Sequence, residues 1–222
     1  MFLELPEVLN VEELARVRQL AGQARYQDGK VSNPHSSAKN NLQIDPTDAA
    51  HAEASRIMAA ALMRCGPFRD YAFPRIMAPP LLAKYAPGMT YGVHADSAFM
   101  PLGSRPLRSD ISCTIFIADP STYEGGELTV HLGTRSVAFK GGAGAAVVYP
   151  SHTLHEVKPV ASGERLVAIT FIESLIPDPA HRDLLYQLNE VSALEGFNMS
   201  WENRTRLQYV CSNLRRIWGE HE

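Results

Sequence analysis

The side chains best suited to chemistry in this sequence begin with His94 and Asp96, two positions apart in "YGVHADSAF". In an extended strand, residues i and i+2 face the same way, so this imidazole and carboxylate converge on one point while Ala95 turns away. Such a pair suits two neighbouring coordination positions of a metal ion, or equally two hydrogen-bonded polar residues on a strand rim. A third candidate follows in "YPSHTLHEVKPVASGERLVAITF", where His155 opens one expected strand and Arg165, ten residues on, sits on the next. Two histidines and a carboxylate on one face of an iron leave the opposite face open, the donor set of non-haem Fe(II) oxygenases. Arg165 would add a planar, permanently charged fork for a carboxylate, which a lysine matches less well. His152 competes with His155 in "HTLH", with the ten-residue spacing to Arg165 favouring His155. The same three residues could instead hold Zn²⁺ and activate water.

Other polar groups surround this set. Lys39, Asn41 and Gln43 in "KNNLQI" would share one strand face, as a polar row meeting substrate or as a structural hydrogen-bonded row. Thr114 and Phe116 in "ISCTIFIAD" would share another face and could line a cosubstrate pocket. The segment Ser97 to Ser109, rich in Pro, Gly and Ser, reads as a loop over the metal. Its Arg105 and Arg108 would be solvated or would meet an anionic substrate. "KGGAGAA", Lys140 to Ala146, lacks the following helix of a phosphate loop and reads as a turn. "YEGGEL", Tyr123 to Leu128, reads as a turn into a strand whose glycines permit positive φ.

The elements that must position these residues are legible from pattern. "NVEELARVRQLAGQA" has Asn10 as a cap and Leu14, Val17, Leu20 and Ala21 at helical spacing. "PTDAAHAEASRIMAAALMRC" suggests a second helix capped by Thr47 and ending near Gly66. Both helices would brace one face of a sheet. From about Phe73 to Glu173, short β-branched and aromatic runs alternate with Gly, Pro, Asp and Ser, without the βα alternation of a parallel sheet. The expected class is mainly β with flanking helices and a double-sheet jelly-roll core. The tail becomes helical, and its stripe Leu207, Val210, Leu214 and Trp218 would pack on the barrel or on a second subunit. The chain divides accordingly into a domain over 1–176 and a helical extension over 177–222, the latter a candidate homodimer surface.

Composition narrows the function classes. A formal net charge of −3 over 222 residues gives no basic excess for nucleic acid or an anionic membrane. Three dispersed cysteines without CxxC spacing argue against a disulfide framework or a cysteine zinc site, and fit a reducing cytoplasm. Neither an export signal nor an apolar run of membrane-spanning length is evident.

The HxD pair, a histidine 59 residues after the aspartate and an arginine ten residues further resemble the pattern of the Fe(II)- and 2-oxoglutarate-dependent dioxygenases. More narrowly, the sequence resembles the bacterial PKHD-type, prolyl/lysyl-hydroxylase-like proteins. The blocks that carry this are "YQDGK", "KNNLQI", "YAPGMTYGVHAD", "SDISCTIFIADPSTYEGGEL", "YPSHTLHEVKPVASGER" and "ESLIPDPAHRDLLYQL", from Tyr26 to about Leu188. The resemblance implies a double-stranded β-helix, Fe(II), 2-oxoglutarate and O2, with ascorbate as a candidate auxiliary. It implies hydroxylation of a peptidyl or amino-acid-like small molecule with release of succinate and CO2. By it, His94, Asp96 and His155 are the iron ligands, Arg165 binds the distal carboxylate of 2-oxoglutarate, and Tyr85 contacts the same cosubstrate. Related halogenating enzymes replace the carboxylate with a small residue, so Asp96 favours hydroxylation. Phe116 stands where some relatives have a tyrosine. A cupin-like metal-binding sensor is the non-enzymatic alternative, although the usual cupin HxH pair is absent.

Overall fold

The computed structural model describes residues 1–33 and 36–220. Two antiparallel sheets face each other as a jelly roll. The larger has eight strands, ordered Leu3–Leu5, Ala146–Pro150, Ile111–Phe116, Arg165–Ser174, Leu81–Tyr85, Leu42–Ile44 and Tyr26–Asp28, with Pro74–Met77 also pairing on Arg165–Ser174. The smaller has five, ordered Arg135–Phe139, Leu128–Leu132, His155–Val157, Thr90–His94 and Lys39–Asn40. Alternation along Ile111–Phe116 shows how the layers form. Ile111, Cys113 and Ile115 join the core under the helices, while Ser112, Thr114 and Phe116 face the space between the sheets. Ile111 and Ile115 are fully buried, and each contributes about 1.5–3 kcal/mol of hydrophobic stabilisation.

Helix α1 (Val11–Gln23) begins at Asn10, whose side chain and Glu13 form a reciprocal capping box. Helix α2 (Ala49–Arg64) lies beside it, tied by the Arg16–Glu53 and Arg64–Glu13 ion pairs. Its cap is Asp48 rather than Thr47, because Asp48 accepts from the Ala50 N–H while Thr47 is drawn into a turn on the Asp45 carboxylate. A short third helix, α3 (Gly66–Ala72), follows with Pro67 in its first turn; seven residues are too few for a periodic signal. Val17, Leu20, Met58, Leu62 and Phe68 from these helices are buried against the larger sheet.

At the other end, α4 (Pro179–Glu195) and α5 (Trp201–Trp218) pack together. Only the Leu214–Trp218 end of the apolar stripe on α5 joins a small core with Phe73, Ile176 and Leu185, and Val210 stays exposed. No described helix is long and apolar enough to cross a membrane. The three cysteines are free thiols.

"KNNLQI" is two strands, not one. Lys39–Asn40 pairs with Thr90–His94 in the smaller sheet, and Leu42–Ile44 pairs with Leu81–Tyr85 in the larger. Asn41 is the step between them. Its carbonyl accepts from the Gly29 N–H at 2.8 Å, and a Cβ on Gly29 would stand 1.9 Å from the Asn41 carboxamide oxygen. Despite the break, Lys39, Asn41 and Gln43 are all buried.

Candidate active site

His94 closes one strand, His155 opens the neighbouring one, and the two are cross-strand partners. Asp96 lies beyond the end of its strand, not on it, and its N–H is held by the Ser151 carbonyl. The three side chains nevertheless meet: one ligand atom from each can be chosen so that all lie within 4.8 Å of one another. His94 Nε2 is 3.9 Å from Asp96 Oδ1, and His155 Nε2 is 3.7 Å from Asp96 Oδ2. His152 is exposed and outside this group.

The local chemistry prepares these atoms for a metal. His94 Nδ1 is 2.8 Å from the Gly92 carbonyl and His155 Nδ1 is 2.9 Å from the Thr153 carbonyl. A carbonyl only accepts, so each Nδ1 carries the proton and each Nε2 presents a lone pair. Burial, and then the neighbouring His155, push the His94 pKa below its ordinary value, which favours the neutral ligand form. Asp96 Oδ2 accepts from Ser112 Oγ at 2.6 Å. Because that spends the one Ser112 proton, Ser151 donates to Ser112 at 2.8 Å, and Ser109 donates to Ser151 at 2.9 Å. The buried hydroxyls of Ser109, Ser151 and Ser112 thus form a chain of one polarity ending on Asp96.

A bulge explains a contact that alternation would forbid. Between His155 and Val157 the register shifts, so that His155 faces His94 while Val157 faces Tyr91. Three residues, 155–157, therefore oppose four, 91–94, and the Tyr91 ring stacks on the His94 imidazole with centroids 3.6 Å apart.

Arg165 opens the strand after next, since Val160–Gly163 intervenes as a separate strand in a small sheet of its own. It pairs in register with Tyr85, and its guanidinium carbon lies 5.0 Å from the Tyr85 ring centroid. The side chain is 1% exposed, yet Nε, Nη1 and Nη2 all lack a hydrogen-bond partner among the described residues. Burial disfavours its charged form, but a guanidinium keeps its proton. Gly126 of "YEGGEL" has φ +68, and a Cβ there would press to 2.9 Å on Arg165 Cδ.

The guanidinium shares a narrow cavity of about 50 Å³ with His94, Asp96, His155, Tyr85 and Thr114. Tyr149 also lines it, with its ring 5.2 Å from that of His155. Burial raises the pKa of the Tyr85 and Tyr149 hydroxyls, keeping both as proton donors. Phe116 packs in the inter-sheet core outside this cavity, because the strand carries it past the metal-facing positions. Tyr149, Ser112 and Tyr91 had no role in the sequence reading. Pairing of Ser112 with Tyr149 across Ile111–Phe116 and Ala146–Pro150 would have found the first two, but only register supplies it.

A second, wider cavity of about 480 Å³ meets the first at Tyr91, His94, Asp96, Ile169 and Phe171. The loop after Asp96 forms part of its wall through Met100, Pro101 and Leu102. That segment is a hairpin of Phe99–Met100 and Leu107–Arg108, not an irregular loop. Its arginines are engaged by carboxylates, although Arg105 remains half exposed. Arg105 pairs with the buried Glu173, and Arg108 pairs with Asp110 at 2.9 Å and Glu220 at 2.8 Å. Lys39 also lines this cavity. Its Nζ hydrogen-bonds Ser32 Oγ and lies 5.2 Å from the Tyr91 centroid; burial lowers its pKa to about 8, opposed by Asp96 and Asp28.

Known proteins match on both sequence and shape. Residues 80–173 match the model of the 2OG-Fe(II) oxygenase superfamily. A PKHD-type hydroxylase of Sphingopyxis alaskensis is 50% identical over 97% of this chain and 98% of its own length. One from Thermosynechococcus vestitus is 38% identical over 99% of this chain and all of its own length. Among solved structures, a Pseudomonas putida prolyl-4-hydroxylase aligns with a TM-score of 0.54 at 18% identity, covering 78% of this chain and 92% of its own. A Trichoplax adhaerens prolyl hydroxylase, solved with a hypoxia inducible factor peptide, aligns at 0.56 and 14% identity, covering 78% and 83%. At these identities the two structures speak to the fold.

Proposed function

Because this chain belongs to the PKHD-type hydroxylases of the 2OG-Fe(II) oxygenase superfamily, enzymes using Fe(II), 2-oxoglutarate and O2, we propose that it hydroxylates a C–H bond of an amino-acid-like or peptidyl substrate. In the balanced reaction, substrate, 2-oxoglutarate and O2 give the alcohol, succinate and CO2. The observation that carries this reading is one cavity holding both a two-histidine, one-carboxylate donor set and a buried guanidinium with three orphaned nitrogens. The donor set fits Fe(II). An orphaned guanidinium fits the far carboxylate of a dicarboxylic acid, and a zinc hydrolase would leave it without a purpose.

His94, Asp96 and His155 would hold the iron, and Arg165 would receive the distal carboxylate of 2-oxoglutarate. Bound iron and cosubstrate together supply the oxidising power that inserts one oxygen atom into the C–H bond. The protein does the positioning. The Gly92 and Thr153 carbonyls fix the imidazole tautomers, and Ser112 holds the Asp96 carboxylate. Tyr85 lies against the guanidinium, while Thr114 and the Tyr149 hydroxyl border the cosubstrate space. The apolar Leu128, Val157 and Ile169 exclude water there. Three free cysteines accord with a cytoplasmic setting.

The test is anaerobic titration with Fe(II) and then 2-oxoglutarate, followed by mass spectrometry of aerobic products. A visible Fe(II)–2-oxoglutarate charge-transfer band and a product heavier by one oxygen are expected. Absence of the band in iron-loaded protein would refute the reading.

A further inference from the structure

Lys39 is buried at 4% exposure, and its ammonium makes one protein hydrogen bond, to Ser32 Oγ. The Ser32 hydroxyl proton goes elsewhere, to the Gly29 carbonyl. Asp96 and Asp28 favour its charge from a distance, but no carboxylate of the described residues pairs with it directly, and its other close neighbour is the face of Tyr91. A buried cation with no carboxylate in direct contact is costly, and the cost is relieved when an anion binds. Beside it, Gln43 is also 4% exposed, and its carboxamide has no hydrogen bond to the described residues. His51 Nδ1 is buried without a partner on the same cavity. Three polar groups thus border one space with hydrogen-bonding capacity left over, Lys39 beyond its one bond to Ser32. Leu81, Met100, Leu102, Ile169 and Phe171 give the space an apolar side, while Asn33, Ser97 and the metal-ligand candidates His94 and Asp96 also line it.

Arg165 and Lys39 stand in different cavities that meet at His94 and Asp96. The Tyr91 ring touches both groups, stacked on the His94 imidazole and with the ammonium 5.2 Å from its centroid. Each side of the metal-ligand group therefore has its own buried cation.

We propose that the primary substrate enters the wider cavity and is held there by a carboxylate, with Lys39 as its counter-charge and Gln43 as a hydrogen-bond donor. Its aliphatic part lies against Ile169 and Phe171, presenting a C–H bond near His94 and Asp96. The substrate class is an amino acid or the C-terminal residue of a peptide, not an internal peptide segment. This rests on the hydroxylase reading above, with iron and 2-oxoglutarate on the Arg165 side.

The experiment uses anaerobic protein loaded with Fe(II) and 2-oxoglutarate, with perturbation of the charge-transfer band as one readout. Calorimetry on the iron-free protein is the second. Probes are free and N-acetylated apolar amino acids, their primary amides, short peptides ending in a free or amidated carboxyl group, and O-phosphoserine. Acids are expected to bind in both readouts and amides to fail; comparing free amino acids with peptides separates the two carboxylate sources. Lys39→Met should weaken acid binding by roughly thirtyfold or more, as loss of a buried charge partner does. Lys39→Arg should retain most of it, and Gln43→Leu should lose less than Lys39→Met. Affinity for 2-oxoglutarate should stay unchanged in all three.

A merely structural lysine would alter the melting temperature without altering the preference for acid over amide. Amides binding as well as acids, an undiminished Lys39→Met variant, binding by O-phosphoserine alone, or no acid binding at all would overturn the proposal. Failure of the band itself in wild-type protein would instead sink the hydroxylase reading, while the calorimetry still decides the carboxylate site.

Discussion

The two cavities that meet at His94 and Asp96 are made of different material. The Arg165 side is almost wholly strand: apart from Asp96, every residue lining it belongs to the jelly roll, and the space is narrow. The Lys39 side shares strand residues such as Tyr91, Ile169 and Phe171 but adds walls from the turn at Gly29–Ser32, the step from Lys39 to Gln43, the first turn of α2 and the hairpin after Asp96. Rigid strands suit a ligand that never changes, and loops suit one that differs between enzymes. The difference teaches where to look for each kind of specificity.

Substitutions can break this comparison at its shared wall or sharpen it on one side. The largest effect should come from His155→Ala or Asp96→Ala, which removes the common element. Iron uptake in anaerobic titration and 2-oxoglutarate consumption should both fall to background. Next, Arg165→Met should weaken 2-oxoglutarate binding about a hundredfold, with acid binding in calorimetry on the iron-free protein unchanged. Without ligands this variant should melt at or above the wild-type temperature, since it removes a buried charge whose nitrogens have no hydrogen-bond partner among the described residues. A Ser112→Ala variant should bind iron about tenfold more weakly, because Asp96 loses the hydroxyl that holds it.

The smallest effect concerns pH. Folding lowers the Lys39 pKa to about 8, so the folded protein releases this proton before the unfolded chain does. The cost of the buried ammonium is therefore full below about pH 8 and declines as pH rises toward the ordinary lysine value. Denaturation midpoints should show wild type gaining on Lys39→Met across that window. A gap that stays constant or widens would contradict this.

Much of the strand side was legible in sequence, and much less of the other. The runs from Leu81 to Glu173 announce themselves because period-two burial leaves a local trace, and His94, Asp96, His155 and Arg165 carry spacing that survives without a structure. What stayed hidden depends on distant partners. Arg105 and Arg108 look like solvated loop charges until Glu173, Asp110 and Glu220 are brought beside them. Asp96 falls beyond its strand, yet still converges with the histidines because the Ser151 carbonyl holds its backbone. Strict alternation separates Tyr91 from His94, and a bulge reunites them. The split of "KNNLQI" between sheets has no compositional mark at all.

That split has a consequence for tolerance to mutation. Gly29 bonds to Asn41 at the step, and the space where its side chain would be is already filled by the Asn41 carboxamide. Its glycine identity there reflects missing volume rather than unusual torsion angles. In a saturation scan, alanine at position 29 should score as poorly as the loss of a ligand, although Gly29 lines neither cavity. The damage would travel through the backbone of one neighbouring segment, and a compensating small residue at position 41 should recover part of it.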